Sequence, residues 1–448
     1  MPSRTERAAR VAVLADSDTR WKWGVLTARR ITPGEPRESA ESGESGESRE
    51  TTPTGFVLRG RATPTARQLA ETGVSATAPR EVTGTEFLRE VRDAAARGEG
   101  YDVIVLALVG GTVRALLQGL AELGLDRRPV IVTGYVGVVY EKLADGLLLR
   151  HGADVVLANS RHDAERFRAV YEGVGADPGA VVEAALPFLG GAPHTPEAGR
   201  DTLVFAAQPS VPVTRAERGY VLRRLVEHAR RHPGREVLLK LRSKPGEHTT
   251  HLEEFPYQKL VRDLPVPPNF RLVYGHMGEV LDRTDLLVTV SSTAALEALH
   301  RRIPTAILTD LGVREALGNH HFLGSGLLTS FDRLDQGAVP RPDEEWLSRQ
   351  GVGVGGPGTV PYERAFDAAR ARVAELLAGP ALPPIAPYYT AETAGGYLPG
   401  VLARHRLDVT APEPRESGVR RIVREAARGA YRHGVQRVAP VIRRLGEL

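Results

Sequence analysis

The stretch DLLVTVSSTAALEALHRRIPTAIL, residues 285–308, decides the fold of this chain. An apolar strand runs into a turn of hydroxyl residues, and the turn leads directly into a helix. Ser291, Ser292 and Thr293 form that turn and can cap the helix. The first N–H groups of the helix and the positive end of its dipole would face any group beyond the carboxyl end of the strand. The pattern favours a phosphate or diphosphate site, and an ordinary helix cap is the alternative.

The residues after the turn extend this pattern. Glu297 lies one turn into the helix, and Pro304 precedes the next strand after a pair of arginines. Together with the turn, they resemble the donor half of the GT-B glycosyltransferases. The resemblance covers most of residues 10–380. Within the GT-B enzymes, the chain is similar to an uncharacterised group of actinobacterial glycosyltransferases with kinship to capsule-polymer transferases. The resemblance implies that the turn holds the phosphates of a nucleotide-activated donor and that Glu297 binds a ribose or sugar hydroxyl.

Short apolar segments alternate with helical patterns along both halves of the chain. In the first half, the predicted strands are residues 11–14, 56–58, 103–106, 130–133 and 155–158. In the second half, they are residues 202–206, 236–241, 270–273, 285–290 and 305–309. Such alternation predicts parallel sheets with helices on both faces. We therefore predict an α/β fold of the GT-B type, with two doubly wound Rossmann-like domains facing across a cleft and a C-terminal helical extension.

Composition marks the predicted boundaries. The acceptor domain spans residues 1–190 and includes an acidic repeat, residues 34–54, which has no large apolar residues to bury and is predicted to be disordered. A linker rich in Gly and Pro at 189–201 leads to the donor domain, residues 200–380. Residues 381–448 comprise a Pro-rich segment, which we expect to cross back to the first domain, and a basic amphipathic helical tail.

The overall composition is that of a soluble globular protein, with a hydrophobic fraction of 42% and a charged fraction of 25%. The 448 residues include no cysteine, which excludes disulfides and thiolate metal sites. We expect neither a signal peptide nor a bilayer span, because no apolar run is long enough, and we expect a cytoplasmic location. The net charge is +4, and the tail accounts for all of the positive excess. Residues 415–448 carry nine Arg and three Glu, a net charge of +6, which leaves −2 for the rest of the chain.

A group of cations follows the second strand of the donor domain. Lys240, Arg242 and Lys244 alternate along an extended chain and would share one side of it. Three cations there would neutralise a diphosphate leaving group, the role of a metal in other transferases, so we expect no metal and no cofactor. By resemblance a Lys-x-His-Pro element belongs here, and this chain lacks it. A solvated basic edge is the alternative.

Two further loops of the donor domain carry candidate ligands. His276 follows the next strand, where the resemblance implies contact with the donor base or ribose, although a helix-starting histidine without a ligand fits equally well. Asn319 and His320 belong to the segment 318–326, in which paired histidines adjoin a glycine turn. Loops carry function more often than cores do. Zinc is disfavoured there, because adjacent histidines do not point to one centre and no carboxylate-rich partner is near.

The acceptor side is predicted at the carboxyl ends of the first-domain strands. Asp16 and Asp18 are candidate general bases for transfer to a hydroxyl, and Asp18 is also a candidate N-cap. Arg20 and Trp21 follow, and Trp21 either stacks on an acceptor sugar or packs against the sheet. No complete dinucleotide fingerprint follows a strand, which disfavours an NAD-dependent enzyme. Further acceptor contacts are predicted from Gly110, Gly111 and Tyr135.

The tail from residue 419 places apolar residues at helical spacing among many arginines. Such a segment suits an anionic membrane surface, where a lipid-linked acceptor is found, so we expect peripheral attachment at the inner face of the membrane. Nucleic acid is disfavoured, because the body of the chain is not basic and carries no nucleic-acid module. A helix docked on the protein itself is the alternative.

The sequence thus predicts a metal-independent glycosyltransferase that moves a sugar from a nucleotide-activated donor to a cell-envelope or polysaccharide acceptor, such as a glycan or a lipid-linked sugar. Two rivals are open. A nucleotide-sugar 2-epimerase would need extra acid/base carboxylates in the cleft and no acceptor. A non-catalytic binding or scaffold protein of the same architecture is favoured by the missing His-Pro element.

Overall fold

The structure is a computed structural model that describes residues 8–32, 52–60, 62–74, 76–138, 142–244, 247, 253–352 and 361–405. The predicted basic tail at 415–448 and most of the predicted disordered insertion lie outside these residues. Thr54, the last residue assigned to that insertion, instead begins a strand, because the segment Thr54–Leu58 brings the buried Phe56 and Val57 into a sheet.

The first domain contains a sheet of seven strands. The strands are β1 (Val11–Ala15), β2 (Thr54–Leu58), β3 (Arg80–Val82), β4 (Val103–Ala107), β5 (Val130–Gly134), β6 (Val155–Ala158) and β7 (Val181–Glu183). All pairings are parallel, in the spatial order β3-β2-β1-β4-β5-β6-β7. The edge strands β3 and β7 are not among the predicted ones, since three residues leave too little apolar pattern. The helices are α1 (Asp18–Ile31), α2 (Ala66–Ala70), α3 (Gly84–Ala96), α4 (Gly110–Glu122), α5 (Leu143–Leu148) and α6 (Arg161–Gly173).

The second domain contains a parallel sheet of six strands. The strands are β8 (Thr202–Ala206), β9 (Glu236–Lys240), β10 (Phe270–Val273), β11 (Leu286–Thr289), β12 (Thr305–Leu308) and β13 (Leu328–Thr329). Their spatial order is β10-β9-β8-β11-β12-β13. The α-helices of this part of the chain are α7 (Arg215–Arg231), α8 (Tyr257–Leu260), α9 (Met277–Leu281), α10 (Ala294–His300), α11 (Phe331–Asp335) and α12 (Glu344–Arg349).

Both sheets are doubly wound. The strand order reverses between β1 and β4 in the first sheet and between β8 and β11 in the second. Loops diverge from the carboxyl ends of the strands at such a switch point and leave a crevice. The two crevices face each other, because Asp18, just after β1, forms an ion pair with Arg242, just after β9. This is the GT-B architecture, so the predicted fold class is confirmed.

The chain returns to the first domain earlier than predicted. Helix α13 (Asp367–Ala378) packs against α1 and against β5, β6 and β7, because its buried Ala369 and Val373 belong to the apolar core there. The Tyr362 hydroxyl, just before it, donates a hydrogen bond to the Leu186 carbonyl. The crossing therefore precedes α13, and the Pro-rich segment only continues along the first domain, where Arg128 Nε donates to the Pro383 carbonyl at 3.0 Å.

The described chain ends with two short helices, α14 (Ala391–Ala394) and α15 (Leu398–His405). Helix α15 packs against α4. These two helices lie in the segment after the prolines, and α15 is held on the outside of the first domain, whereas the predicted basic helical tail lies outside the described residues. None of the described helices combines the length and the apolar character that a membrane span requires.

Trp21 is part of the first-domain core. Its indole is 3% exposed and fills the space beside β2, where a Cβ on Gly55 would lie 2.3 Å from Trp21 Cη2. Glycine is thus required at position 55 by the close approach of the ring.

We expect Gly55→Ala to lower the free energy of unfolding by about 1–3 kcal/mol, because the added methyl group overpacks a filled core. Gly60→Ala is the matched control, since no atom lies within 4 Å of a Cβ at that position. Urea unfolding at pH 7 measures both. A control that loses as much stability as Gly55→Ala would contradict this account of the packing.

Candidate active site

Among the described residues, three of the ion pairs between the two domains involve the loops after the strands. Arg242 donates from Nε to Asp18 Oδ2 at 3.3 Å and makes a shorter contact from Nη2 to Asp18 Oδ1. Lys22 Nζ lies 3.7 Å from Glu297 Oε2. The third pair joins Arg67 of the first domain to Glu247 of the second. The loops at the carboxyl ends of the two sheets therefore meet through charged side chains.

Asp18 occupies the first turn of α1 without capping it. The side chain of Ser17 is the N-cap and accepts a hydrogen bond from Arg20 N at 3.4 Å. Burial of Asp18 opposes its ionisation, but the charge and hydrogen bonds of Arg242 outweigh this effect and hold the pKa of Asp18 below its ordinary value. A carboxylate held in this way accepts a proton poorly, so Asp18 can serve as a base only after Arg242 has moved.

Asp16 bridges the switch point of the first sheet. Its Oδ1 accepts a hydrogen bond from Arg20 Nη1 at 2.9 Å, and its Oδ2 accepts one from the Val109 N–H at 3.2 Å. We predicted Arg20 as an acceptor ligand, but the structure uses it to orient Asp16. Asp18 thus lies in the cleft and Asp16 lies at the carboxyl end of β1, both with hydrogen-bonded oxygens, and their role as bases stays a prediction.

The other predicted acceptor residues are engaged in internal contacts. Trp21 is in the core. At Gly110 there is little room for a side chain, since a Cβ would lie 3.1 Å from Leu149 Cδ1 and from Arg150 Nη1. Gly111 lies in the first turn of the same helix. The Tyr135 ring stacks on the Arg150 guanidinium at 4.1 Å, and its hydroxyl donates to the Leu143 carbonyl. We withdraw Trp21 and Tyr135 as acceptor ligands, since packing accounts for their side chains, whereas acceptor contact by the backbone of Gly110 and Gly111 stays a prediction.

The three predicted cations have different environments. Lys240 is buried and donates from Nζ to the Leu241 carbonyl at 2.8 Å. Burial, aided by the charges of Arg242 and Arg67, lowers the pKa of Lys240 to about 8. Arg242 reaches Asp18, whereas Lys244 is exposed and lies 5.9 Å from the Tyr274 ring. The charge of Arg242 acts on Lys240, and the prediction that all three side chains share one side of the chain stays a prediction.

The three residues of the hydroxyl turn differ in burial: Ser291 is buried, whereas Ser292 and Thr293 are half-buried. Ser291 is buried, and its Oγ donates to the Leu317 carbonyl at 2.5 Å while its N–H donates to Gln208 Oε1 at 3.1 Å. It therefore ties the turn to neighbouring loops and is withdrawn as a donor ligand. Ser292 Oγ accepts a hydrogen bond from the N–H of Ala294, the first residue of α10, at 3.3 Å, whereas the N-cap residue Thr293 makes no side-chain cap hydrogen bond. Thr293 Oγ1 would lie 3.3 Å from a Cβ on Gly137, so a first-domain loop covers the turn.

Two predicted donor ligands occupy the cleft itself. Glu297 is 9% exposed and faces Lys22 of the first domain. His276 lies with its ring against Gly73, also of the first domain. Burial of the imidazole, aided by the charge of Lys22, lowers the pKa of His276. The ring is therefore neutral near pH 7 and can both donate and accept a hydrogen bond.

Asn319 and His320 lie apart from these residues in the 3₁₀ segment Asn319–Phe322. Asn319 is fully buried, and its amide donates to the Leu308 and Gly312 carbonyls while its Oδ1 accepts from Arg314 N. It organises the loop after β12, so we withdraw it as a donor ligand. His320 is half-buried, and its Nδ1 has no hydrogen-bond partner in the part of the chain that the structure describes.

One side-chain group among the described residues has the geometry of a metal site. His228, His232 and Asp335 each offer a ligand atom, all within 4.8 Å of one another. Asp335, however, already accepts hydrogen bonds from Arg224 and Arg231, and their guanidinium charges repel a cation. The group also lies at the C-terminal end of α7, away from the cleft. We interpret it as an ion-pair network that fastens α7 to α11.

A known protein family matches this chain over both sheets and the cleft between them. The sequence profile of the family described as "Putative glycosyltransferase (DUF6716)" matches residues 11–367. The chain belongs to this family. All the cleft residues described above fall within the match. No protein of curated function matches the chain significantly.

Solved structures resemble this member of the family at low sequence identity. The UDP-GlcNAc 2-epimerase of Methanocaldococcus jannaschii has a TM-score of 0.49 at 10% identity, over 83% of this chain and 100% of that one. The Neisseria meningitidis UDP-GlcNAc 2-epimerase bound to UDP-GlcNAc has a TM-score of 0.47 at 10% identity, over 82% and 100%. The glycosyltransferase SnogD of Streptomyces nogalater has a TM-score of 0.37 at 15% identity, over 88% and 100%. Likeness at this level carries no information on substrate or reaction.

Four charged cleft residues are absent from the sequence prediction, namely Lys22, Arg67, Glu71 and Glu247. Lys22 lies between Trp21 and Trp23 in the sequence, and no motif around it indicates a functional role. Arg67 and Glu71 form an i,i+4 pair in α2, which resembles any solvated helix face. Only the three-dimensional arrangement reveals that these charges meet partners of the opposite domain.

We expect Asp18→Asn to lower the free energy of unfolding at pH 7 by about 1–3 kcal/mol, because it leaves the half-buried Arg242 without its partner. The pKa of Asp18 is lowered in the folded state, so the ion pair stabilises the protein above the ordinary carboxyl pKa. The difference between wild type and variant should therefore shrink as the pH falls below about 4.

Asp93→Asn is the matched control for this measurement. Asp93 pairs with Arg92 on the surface of α3, and its side chain is 51% exposed. Chemical unfolding should show a change of less than about 0.5 kcal/mol for this variant at any pH. Equal losses for the two variants would show that the cross-domain pair has no special role.

Proposed function

We propose that this protein is a metal-independent glycosyltransferase that moves a sugar from a nucleotide-activated donor to a hydroxyl of a cell-envelope or polysaccharide acceptor. The observation that supports it best is the pairing across the cleft. Arg242, just after β9 of one domain, pairs with the Asp18 carboxylate, just after β1 of the other, and Lys240 at the end of β9 is close enough to feel the charge of Arg242. Transfer of a sugar from a diphosphate needs both types of group at one place.

On this proposal the diphosphate of the donor takes the place of the carboxylates. Arg242 and Lys240 stabilise the negative charge that develops on the leaving nucleoside diphosphate. Ser292 and Thr293 contact the phosphates from the hydroxyl turn. Once Lys22 also turns to the anion, Glu297 is available to accept hydrogen bonds from donor hydroxyls.

Activation of the acceptor follows from the same replacement of the Asp18 carboxylate by the donor diphosphate at Arg242. When Arg242 binds phosphate, the Asp18 carboxylate loses its partner and becomes a competent base. It accepts the proton of the acceptor hydroxyl as the acceptor oxygen bonds to the anomeric carbon. The bond from that carbon to the diphosphate oxygen breaks, and the diphosphate keeps the electron pair. Asp16, already oriented by Arg20, is the second candidate for the base.

The acceptor class rests on the sequence of the tail. Residues 415–448 carry a net charge of +6, and apolar residues at helical spacing lie among the arginines from residue 419, a pattern that suits the anionic inner face of a membrane. A cytoplasmic enzyme attached there would meet lipid-linked or growing envelope glycans. His276 completes the proposed donor site, and no cofactor is required.

The test of donor binding is a thermal-shift screen with UDP-, GDP-, CMP-, CDP- and dTDP-linked sugars and the free nucleotides. A ligand that binds only the folded state raises the melting temperature. We expect a shift with one nucleotide class and its loss in Arg242→Gln. The matched control is Arg271→Gln, which removes the same charge from a side chain that is 61% exposed on β10. No shift with any nucleotide would leave a scaffold protein as the better interpretation.

A nucleotide-sugar 2-epimerase is the second candidate, because the cleft contains carboxylates that a transferase does not need. Glu71 and Glu247 lie beside Lys240 and Arg67 and could act as acid or base. An epimerase of this type exchanges the proton at C2 of the sugar with solvent and needs no acceptor.

A deuterium-exchange experiment distinguishes the transferase from the epimerase. The donor identified by thermal shift is incubated with the protein in D₂O without acceptor and followed by NMR. For a transferase we expect the C2 proton signal to persist. Loss of that signal within the time of the experiment, together with its persistence in Glu71→Gln, would replace the transferase proposal with the epimerase.

A further inference from the structure

Helix α2 and the loop after it reach from the first domain onto the phosphate side of the second. Arg67 forms an ion pair with Glu247, and the Thr65 hydroxyl donates to the same carboxylate at 3.4 Å. Gly73 lies against the His276 ring. Glu71 is close enough to Lys240 to favour the charged form of that amine. A short segment of the acceptor domain thus covers the residues that we assign to the donor.

The segment is held firmly enough to position a side chain. Thr65 and Gln68 form a reciprocal capping box, with the Thr65 N–H donating to Gln68 Oε1 at 2.9 Å. Gln68 is 2% exposed and anchors the helix. Arg67, on the adjacent face, pairs with Glu71 at 2.5 Å and keeps its side chain 26% exposed. Its guanidinium is therefore directed into the cleft and is partly accessible from it.

The contact between Arg67 and Glu247 has the geometry of an anion site. Nε and Nη2 of Arg67 each donate to a different oxygen of the carboxylate, so the guanidinium binds with two parallel hydrogen bonds. A phosphate presents two oxygens to arginine in the same way. Glu247 also accepts a hydrogen bond from the Lys244 N–H at 2.8 Å, which places it in the loop that carries Arg242.

We propose that Arg67 is a donor-binding residue supplied by the first domain, and that Glu247 occupies its guanidinium until the diphosphate of a nucleotide-activated donor replaces it. The inference rests on the proposed function and deepens it. The diphosphate site is then built from both domains, with Lys240 and Arg242 on one side and Arg67 on the other. Arg67 adds a contact that a nucleoside monophosphate, with one phosphate fewer, does not complete.

The experiment measures affinities by isothermal titration calorimetry for the nucleoside diphosphate and monophosphate of the base that the wild type prefers, among UDP, GDP, CDP, dTDP and ADP. Arg67→Gln keeps the length and helix propensity of the residue and removes its charge. We expect it to weaken diphosphate binding by about 10- to 100-fold, the usual effect of losing charge-assisted hydrogen bonds. Monophosphate binding should change less than about threefold.

A second variant separates ligand binding from domain closure. Glu247→Gln breaks the same ion pair but leaves the cation, so we expect diphosphate to bind more tightly, by about three- to tenfold. If Arg67 only holds the domains together, both variants should weaken binding alike, and that result would overturn the inference. Arg92→Gln on α3 is the matched control for loss of one positive charge, and its affinities should equal those of the wild type.

The possible failures are distinguishable. Unchanged diphosphate affinity in Arg67→Gln overturns the inference and leaves the proposed function intact. Absence of binding of every nucleoside diphosphate to the wild type overturns the inference and the proposed function together.

Discussion

The arrangement of the cleft depends on the balance of charge between two domains. Each bridging ion pair takes its carboxylate from one domain and its cation from the other: Asp18 with Arg242, Glu297 with Lys22 and Glu247 with Arg67. An unpaired charge at a half-buried interface costs free energy, because it loses water without gaining a partner. The closed cleft is stable because every one of these charges is matched, and any anion that enters must disturb the matching.

Parallel sheets explain why these charges meet at all. A parallel strand reaches its neighbour through a crossover helix, so the loops that follow the strands all lie at one edge of the sheet. Asp18 and Lys22 follow β1, Arg242 and Glu247 follow β9, and Glu297 lies in the helix after β11. When the two sheets face each other, residues far apart in sequence are brought within a few ångströms. The apolar cores only have to hold that orientation.

Sequence patterns revealed the sheets better than they revealed the site. Buried strands such as Val103–Ala107 are continuous apolar runs, and their order along the chain implies the architecture. Side-chain roles are harder to predict, because a buried polar residue and a ligand-binding one look alike in sequence. Asn319 and Tyr135 follow strands as ligands do, yet internal hydrogen bonds and stacking use their polar groups. Arg67 shows the opposite error, since its partner lies 180 residues away and no local pattern connects them.

The charge balance also bears on the order of events in the proposed reaction. With the cleft closed and empty of donor, Arg242 holds Asp18 ionised and bonded, so an acceptor that arrives first finds no free base. A diphosphate brings negative charge that competes for Arg242, Lys22 and Arg67 at the same time. Release of Asp18, Glu297 and Glu247 is then a single consequence of donor binding. The cations that we assign to donor binding and the carboxylates that we assign to the chemistry are therefore coupled through the ion pairs they share.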